Sequence, residues 1–179
     1  MTIYLIRHGK TEANERKLYC GSSDLPLSAT GVEELRKLRY DMKNVQFLTS
    51  GMQRTEQTLE ILFGEVPHRA EPRFREVDFG IFELGSYQQL KDTPEYQQWL
   101  TGDNEANVPP RGESGCQMKQ RVLEALADIH TDTVVITHGG VIAAIMASLF
   151  PQENKSRYAW QPHCGHGYAL EDGRYHPIP

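Results

Sequence analysis

Two histidines in this chain stand beside glycine at the end of a short apolar run. Ile3-Tyr4-Leu5-Ile6 leads into Arg7-His8-Gly9, and Val134-Val135-Ile136-Thr137 leads into His138-Gly139-Gly140. Near neutral pH an imidazole can serve as nucleophile or cation, and glycine lets a ligand approach the backbone. Taken singly, each histidine has an ordinary alternative, a ring that only packs. The pairing of two histidines at two run ends is what points to chemistry.

The elements that must position these residues follow from hydrophobic period and punctuation. Ile3 to Ile6 reads as a buried strand. Ser28 is placed to cap a helix in which Val32, Leu35, Leu38 and Arg39 recur at helical spacing. Phe47-Leu48 suggests a second strand, punctuated by Ser50-Gly51 and followed by a helix with Thr55, Thr58, Leu59 and Leu62 on one side, stopping near Gly64. Beyond Pro72 and Gly80 the pattern becomes irregular, with short helices expected at Ser86 to Lys91 and Glu95 to Leu100, and a Pro- and Gly-rich stretch from Gly102 to Gly115. Ser114 is positioned to cap a helix carrying Met118, Val122, Leu123, Leu126 and Ile129. The β-branched run Thr133 to Thr137 predicts a strand, Val141 to Phe150 an apolar helix, and Gly167 to Glu171 with Arg174 to His176 a hairpin around Asp172-Gly173.

Strands alternating with amphipathic helices imply an α/β domain, a three-layer sandwich whose largely parallel sheet is covered by helices on both faces. In such sheets ligands bind beyond the carboxyl ends of the strands, where His8 and His138 both belong. A length of 179 residues suits one domain, 1–179, with the segment at about 82–115 read as a lid or wall. A net charge of −5 provides no basic surface for a nucleic acid partner. Arg7 ends the first apolar run too early for a secretory signal, and no stretch is long enough to span a bilayer, so a cytoplasmic protein without a membrane partner is expected. Cys20, Cys116 and Cys164 lack the spacing of a disulfide framework or a thiolate zinc site.

The stretch Arg7-His8-Gly9-Lys10-Thr11-Glu12-Ala13-Asn14 resembles the signature of the histidine phosphatase superfamily, in the branch similar to phosphoglycerate mutase. The resemblance continues through Asp24-Leu25-Pro26-Leu27-Ser28 with Gly31, Ser50 with Arg54-Thr55 and Gln57-Thr58, Arg75-Glu76-Val77-Asp78-Phe79-Gly80, Gly112-Glu113-Ser114, and Thr137-His138-Gly139-Gly140. It implies a phosphatase in which His8 attacks a small phosphomonoester, is phosphorylated, and is released by water. Arg7, Arg54 and Asn14 would hold phosphate oxygens, with His138 as a further donor and Gly139 letting the phosphate approach the backbone. Glu76 matches the acid that protonates the leaving oxygen and then activates water, and is preferred to its neighbour Glu83 by motif position.

This sequence departs from the family pattern at Phe82-Glu83-Leu84, where tryptophan-glutamate-glycine is common, and at Arg111, where glycine is frequent. Both departures fall on the expected pocket wall. Arg111 is open between reading a second acidic group on the substrate and standing at a solvated loop tip, and Lys10 is similarly open. His163, Cys164 and His166 form a compact cluster without a clear fourth ligand for zinc. The resemblance supplies each catalytic role without a metal or other cofactor. Among shorter family members, those similar to α-ribazole phosphatase share this size and acidic motif. A phosphoglycerate-type mutase is the alternative enzyme, and a non-catalytic module binding phosphorylated ligands is the alternative of another class. Oligomeric state is not legible.

Overall fold

The computed structural model describes residues 1–103 and 105–179; Asn104, inside the expected wall segment, lies outside the described residues. Six strands, β1 (Thr2–Arg7), β2 (Gln46–Thr49), β3 (Arg69–Ala70), β4 (Thr133–Thr137), β5 (Gly167–Glu171) and β6 (Arg174–Ile178), form one sheet in the order β3-β2-β4-β1-β5-β6. The first four strands in that order run parallel, while β5 and β6 are antiparallel and close one edge as the expected hairpin. Seven α-helices accompany them among the described residues: α1 (Glu12–Glu15), α2 (Ala29–Leu35), α3 (Gln53–Phe63), α4 (Tyr87–Leu90), α5 (Pro94–Trp99), α6 (Gly115–Ala127) and α7 (Gly139–Leu149).

The alternation of side chains along a strand divides the core into two layers. Ile3, Leu5 and Val135 face a cluster with Met118 and Val122 of α6 and Val141, Ile142 and Ile145 of α7. Ile6, Val134 and Ile136 face the other side, where Leu59 of α3 packs. Helices therefore cover both faces of the sheet, and β4 is buried along its whole length, as its unbroken β-branched run requires.

Local signals set several boundaries. Ser28 accepts a hydrogen bond from Gly31 N, and Ser114 forms a capping box with Gln117, so both helices start where an oxygen meets an orphan N–H. The structure differs from the expected elements in three places. The helix after Ser28 ends at Leu35 and does not continue through Leu38 and Arg39. Its end is tied by Arg39, whose Nη1 donates to the carbonyls of Arg36 and Leu38, so spacing that looks helical belongs to a side chain closing the terminus. The strand β3, two residues long and exposed on both, carries no apolar run and so has no signal in the sequence. The 82–115 segment contains α4 and α5, and α7 begins at Gly139, two residues before the expected Val141.

Candidate active site

The parallel register aligns Arg7 of β1 with Thr137 of β4, and Thr49 of β2 with Ile136 of β4. The residues following three neighbouring strand ends are therefore His8, His138 and Ser50, side by side at the carboxyl edge of the sheet. His8 N donates to Thr137 O at 2.9 Å, and the two imidazoles meet edge to face with centroids 5.1 Å apart.

His8 is only 5% exposed, and its Nδ1 lies 2.6 Å from the carbonyl of Gly9. A carbonyl only accepts, so Nδ1 carries the proton and Nε2 keeps its lone pair. Burial holds the His8 pKa well below the usual imidazole range, with Arg54 and Arg7 lowering it further against the opposing Gly9 bond; the ring is neutral. His138 is also lowered, first by burial and then by Arg54. Arg54 Nε donates to His138 Nδ1 at 3.3 Å, which places the His138 proton on Nε2, where it meets Ser50 Oγ at 2.8 Å.

Arg54 lies in the first turn of α3 and is almost fully buried. Its Nη1 donates to Ser23 O and its Nη2 to Gly21 O, both at 2.8 Å, so three of its five N–H groups are fixed and two remain for an anion. Arg7 donates through Nη1 to Pro162 O. Its Nε is buried and, among the described residues, meets no acceptor. A Cβ at Gly139 would sit 3.0 Å from the Arg7 guanidinium carbon, so a side chain there would crowd the arginine.

Glu76 joins the group from the loop after β3. Its Oε2 accepts from Gly140 N at 2.8 Å and its Oε1 from Val77 N at 3.0 Å, and a Cβ at Gly140 would come within 2.4 Å of that carboxylate. Arg121 of α6 fixes the loop by donating to the carbonyls of Arg73, Arg75 and Glu76 while pairing with Glu113. Glu83 stands elsewhere: its carboxylate accepts from the backbone N–H groups of Gly21, Ser22, Ser23 and Phe79 and from Ser23 Oγ. That carboxylate organises the loop whose carbonyls grip Arg54.

The remaining sequence candidates divide. Asn14 sits on α1, where its Oδ1 closes a capping box with Thr11, leaving the amide NH₂ as the group suited to a phosphate oxygen. Lys10 pairs with Glu34 at 2.7 Å on the surface. Arg111 is exposed at a turn tip with φ +61°. His163 and His166 have ring centroids 6.2 Å apart, and among the described residues no group of three His, Cys, Asp or Glu could hold a metal. Sequence reasoning gives no role to Ser50 or Arg121, and none to Glu83 beyond that of a rival acid.

The chain is similar to proteins already known. The chain is 30% identical over 161 residues to adenosylcobalamin/alpha-ribazole phosphatase of Escherichia coli K12, covering 83% of this chain and 79% of that protein. It is also 30% identical over 162 residues to the protein of the same name from Salmonella typhimurium, with the same coverage, 83% and 79%. The crystal structure of phosphoglycerate mutase from Thermus thermophilus superposes with a TM-score of 0.81 at 28% identity, covering 100% of this chain and 99% of that one. The model of the histidine phosphatase superfamily (branch 1) matches residues 3–175, and with strand-end histidines, buried Arg54, half-buried Arg7 and an anchored glutamate at the sheet's carboxyl edge, the chain belongs to that superfamily.

Proposed function

We propose that this protein hydrolyses small phosphomonoesters through a phosphohistidine at His8. The observation that carries the reading is the state of His8: a neutral ring whose proton is held on Nδ1 by Gly9 O, so that Nε2 presents a lone pair beside two arginines. In the first step Nε2 attacks phosphorus and the bond to the ester oxygen breaks, with Glu76 delivering a proton to that oxygen. In the second, water attacks the phosphoryl group, gives its proton to Glu76, and the P–N bond breaks to return His8 and free phosphate. Arg7 Nε, the two remaining N–H groups of Arg54 and the amide of Asn14 bind the phosphoryl oxygens. His138 exchanges its Ser50 contact for an oxygen of the ligand as charge builds. Fixed donors aimed at the transferring group are the main resource of phosphoryl transfer.

Mass spectrometry of intact protein quenched during turnover of a generic phosphate ester tests this directly. A phosphoryl adduct is expected on His8, absent in His8→Ala and accumulating in Glu76→Gln with esters of good leaving groups, where only the second step needs the carboxylate. Turnover that survives His8→Ala would overturn the reading.

A further inference from the structure

Resting on the phosphomonoester reading, we propose that the group esterified to the phosphate is uncharged and aromatic, seated in the cleft beside Glu76. This cleft has a volume of about 260 Å³ and is bounded by Glu76 and Gly140 on the catalytic side and by Tyr19, Phe79, Trp99 and Tyr158 on the other. It lies just below the range of roughly 300–1,000 Å³ typical of ligand pockets, with room for one or two rings. The aromatic wall is assembled in advance. Tyr19 and Phe79 meet edge to face at 5.0 Å, and Trp99 stands 6.1 Å and 6.3 Å from them. Phe82 and Tyr96 back that wall, Tyr96 through a hydrogen bond between its phenol and that of Tyr19. Tyr158 is 81% exposed yet lines the cleft, an arrangement suited to covering a flat guest.

Charge argues the same way. Besides Glu76, the charged residues lining the cleft are Glu105, Glu113 and Arg157. Arg157, the one cation among these lining residues, is bound by the Glu105 carboxylate, and Glu113 is paired with Arg121. A leaving group bearing a carboxylate or a second phosphate would therefore find no unpaired cation among these lining residues. An uncharged ring meets stacking surface and leaves each ion pair in place.

Three primary-alcohol esters of similar intrinsic reactivity separate the possibilities: 2-phenylethyl phosphate, n-hexyl phosphate and 3-phosphoglycerate as the acidic comparison. The expected order of kcat/KM has the aromatic ester several-fold above hexyl and at least tenfold, on the order of one buried aromatic contact, above the acidic one. Tyr158→Ala, at an exposed position, should lower the ratio of phenylethyl to hexyl by about threefold. Glu105→Gln, which frees Arg157, should raise kcat/KM on 3-phosphoglycerate over wild type. Calorimetric binding of the same three esters to His8→Ala reads the cleft without turnover. If the His8 adduct forms but aromatic, aliphatic and acidic esters react alike, the aromatic assignment falls and the phosphatase stands. If no ester gives an adduct while phenylethyl phosphate still binds most tightly to His8→Ala, the phosphatase reading falls and the cleft assignment stands.

Discussion

The edge where phosphate chemistry is expected and the wall that faces it are built by different rules. His8, His138 and Ser50 follow three adjacent parallel strands, all are buried, and with Arg54 they are bound to each other or to main-chain carbonyls. The wall, by contrast, rests on helices of four and six residues, with exposed Leu84, Tyr87 and Leu100. Its order comes from aromatic edges and two ion pairs. Such a division lets the wall change without disturbing the sheet, so selectivity can vary while the reaction stays fixed.

Removing a fixed cation from the buried edge puts that division under the greatest stress. Arg54→Ala should lower kcat/KM for every ester by about 10²- to 10³-fold, since it deletes the proposed phosphate donor and unties Nδ1 of His138. A wall change such as Tyr158→Ala should alter selectivity far more than rate. Steady-state kinetics on both variants decides. A loss confined to one ester class in Arg54→Ala would mean that the arginine reads the leaving group and that the two regions are not separate.

Glu83 joins the two regions. It belongs to the wall segment by sequence, yet its carboxylate holds Gly21 to Ser23, whose carbonyls hold Arg54. In Glu83→Gln an NH₂ group faces backbone donors that need an acceptor, which should destabilise the protein by about 2 kcal/mol and cut kcat/KM by about tenfold. If the effect on rate passes through Arg54, the double variant with Arg54→Ala should be no slower than Arg54→Ala alone. Full additivity in that double-mutant cycle would separate Glu83 from the phosphate end.

The sequence makes local things legible. Strand β4 is a β-branched run, Ser28 and Ser114 are cap residues in front of helical patterns, and His8 and His138 stand beside glycines at run ends. Less visible is what a side chain does across the fold. Glu83 reaches residues about sixty positions away, and Ser50 meets His138 across 88. Neither partnership leaves a period or a punctuation mark. Strand β3 escapes because two residues cannot show a pattern, and α2 reads too long because Arg39 sits at helical spacing while capping the helix from outside it.

Buried neutral histidines also predict how stability depends on pH. The folded pKa values of His8 and His138 lie below the ordinary 6.5, so the unfolded chain takes up these protons first as pH falls. Stability is therefore full above about pH 6.5 and declines below it, by about 1.4 kcal/mol per pH unit for each histidine until its lowered pKa is reached. Urea unfolding between pH 7.5 and 5.5 should show this slope, and His138→Gln should reduce it by half the two-histidine contribution. A slope unchanged in His138→Gln would mean that His138 titrates alike in the folded and unfolded chain.

A subtler contrast is backbone strain, which the wall carries and the sheet edge does not. Leu84 has φ +60° and Arg111 φ +61°, and these are the two places where the chain departs from glycine in its family's pattern. At both, the backbone holds a conformation that suits glycine better than the residue present. A non-glycine residue in that region costs roughly 1–2 kcal/mol, whereas glycine returns about 0.5–1 kcal/mol of that as added freedom of the unfolded chain. Arg111→Gly and Leu84→Gly should each stabilise by about 0.5 kcal/mol, a rise in Tm of about 1–2 °C for a protein of this size. Because Arg111 is exposed at its turn, its loss should leave the ratio of rates on aromatic and acidic esters within about twofold, the scatter expected of a surface substitution. A selective fall on 3-phosphoglycerate would instead give Arg111 the reading of an acidic leaving group, and the wall would then hold a charge-reading position outside the aromatic cleft.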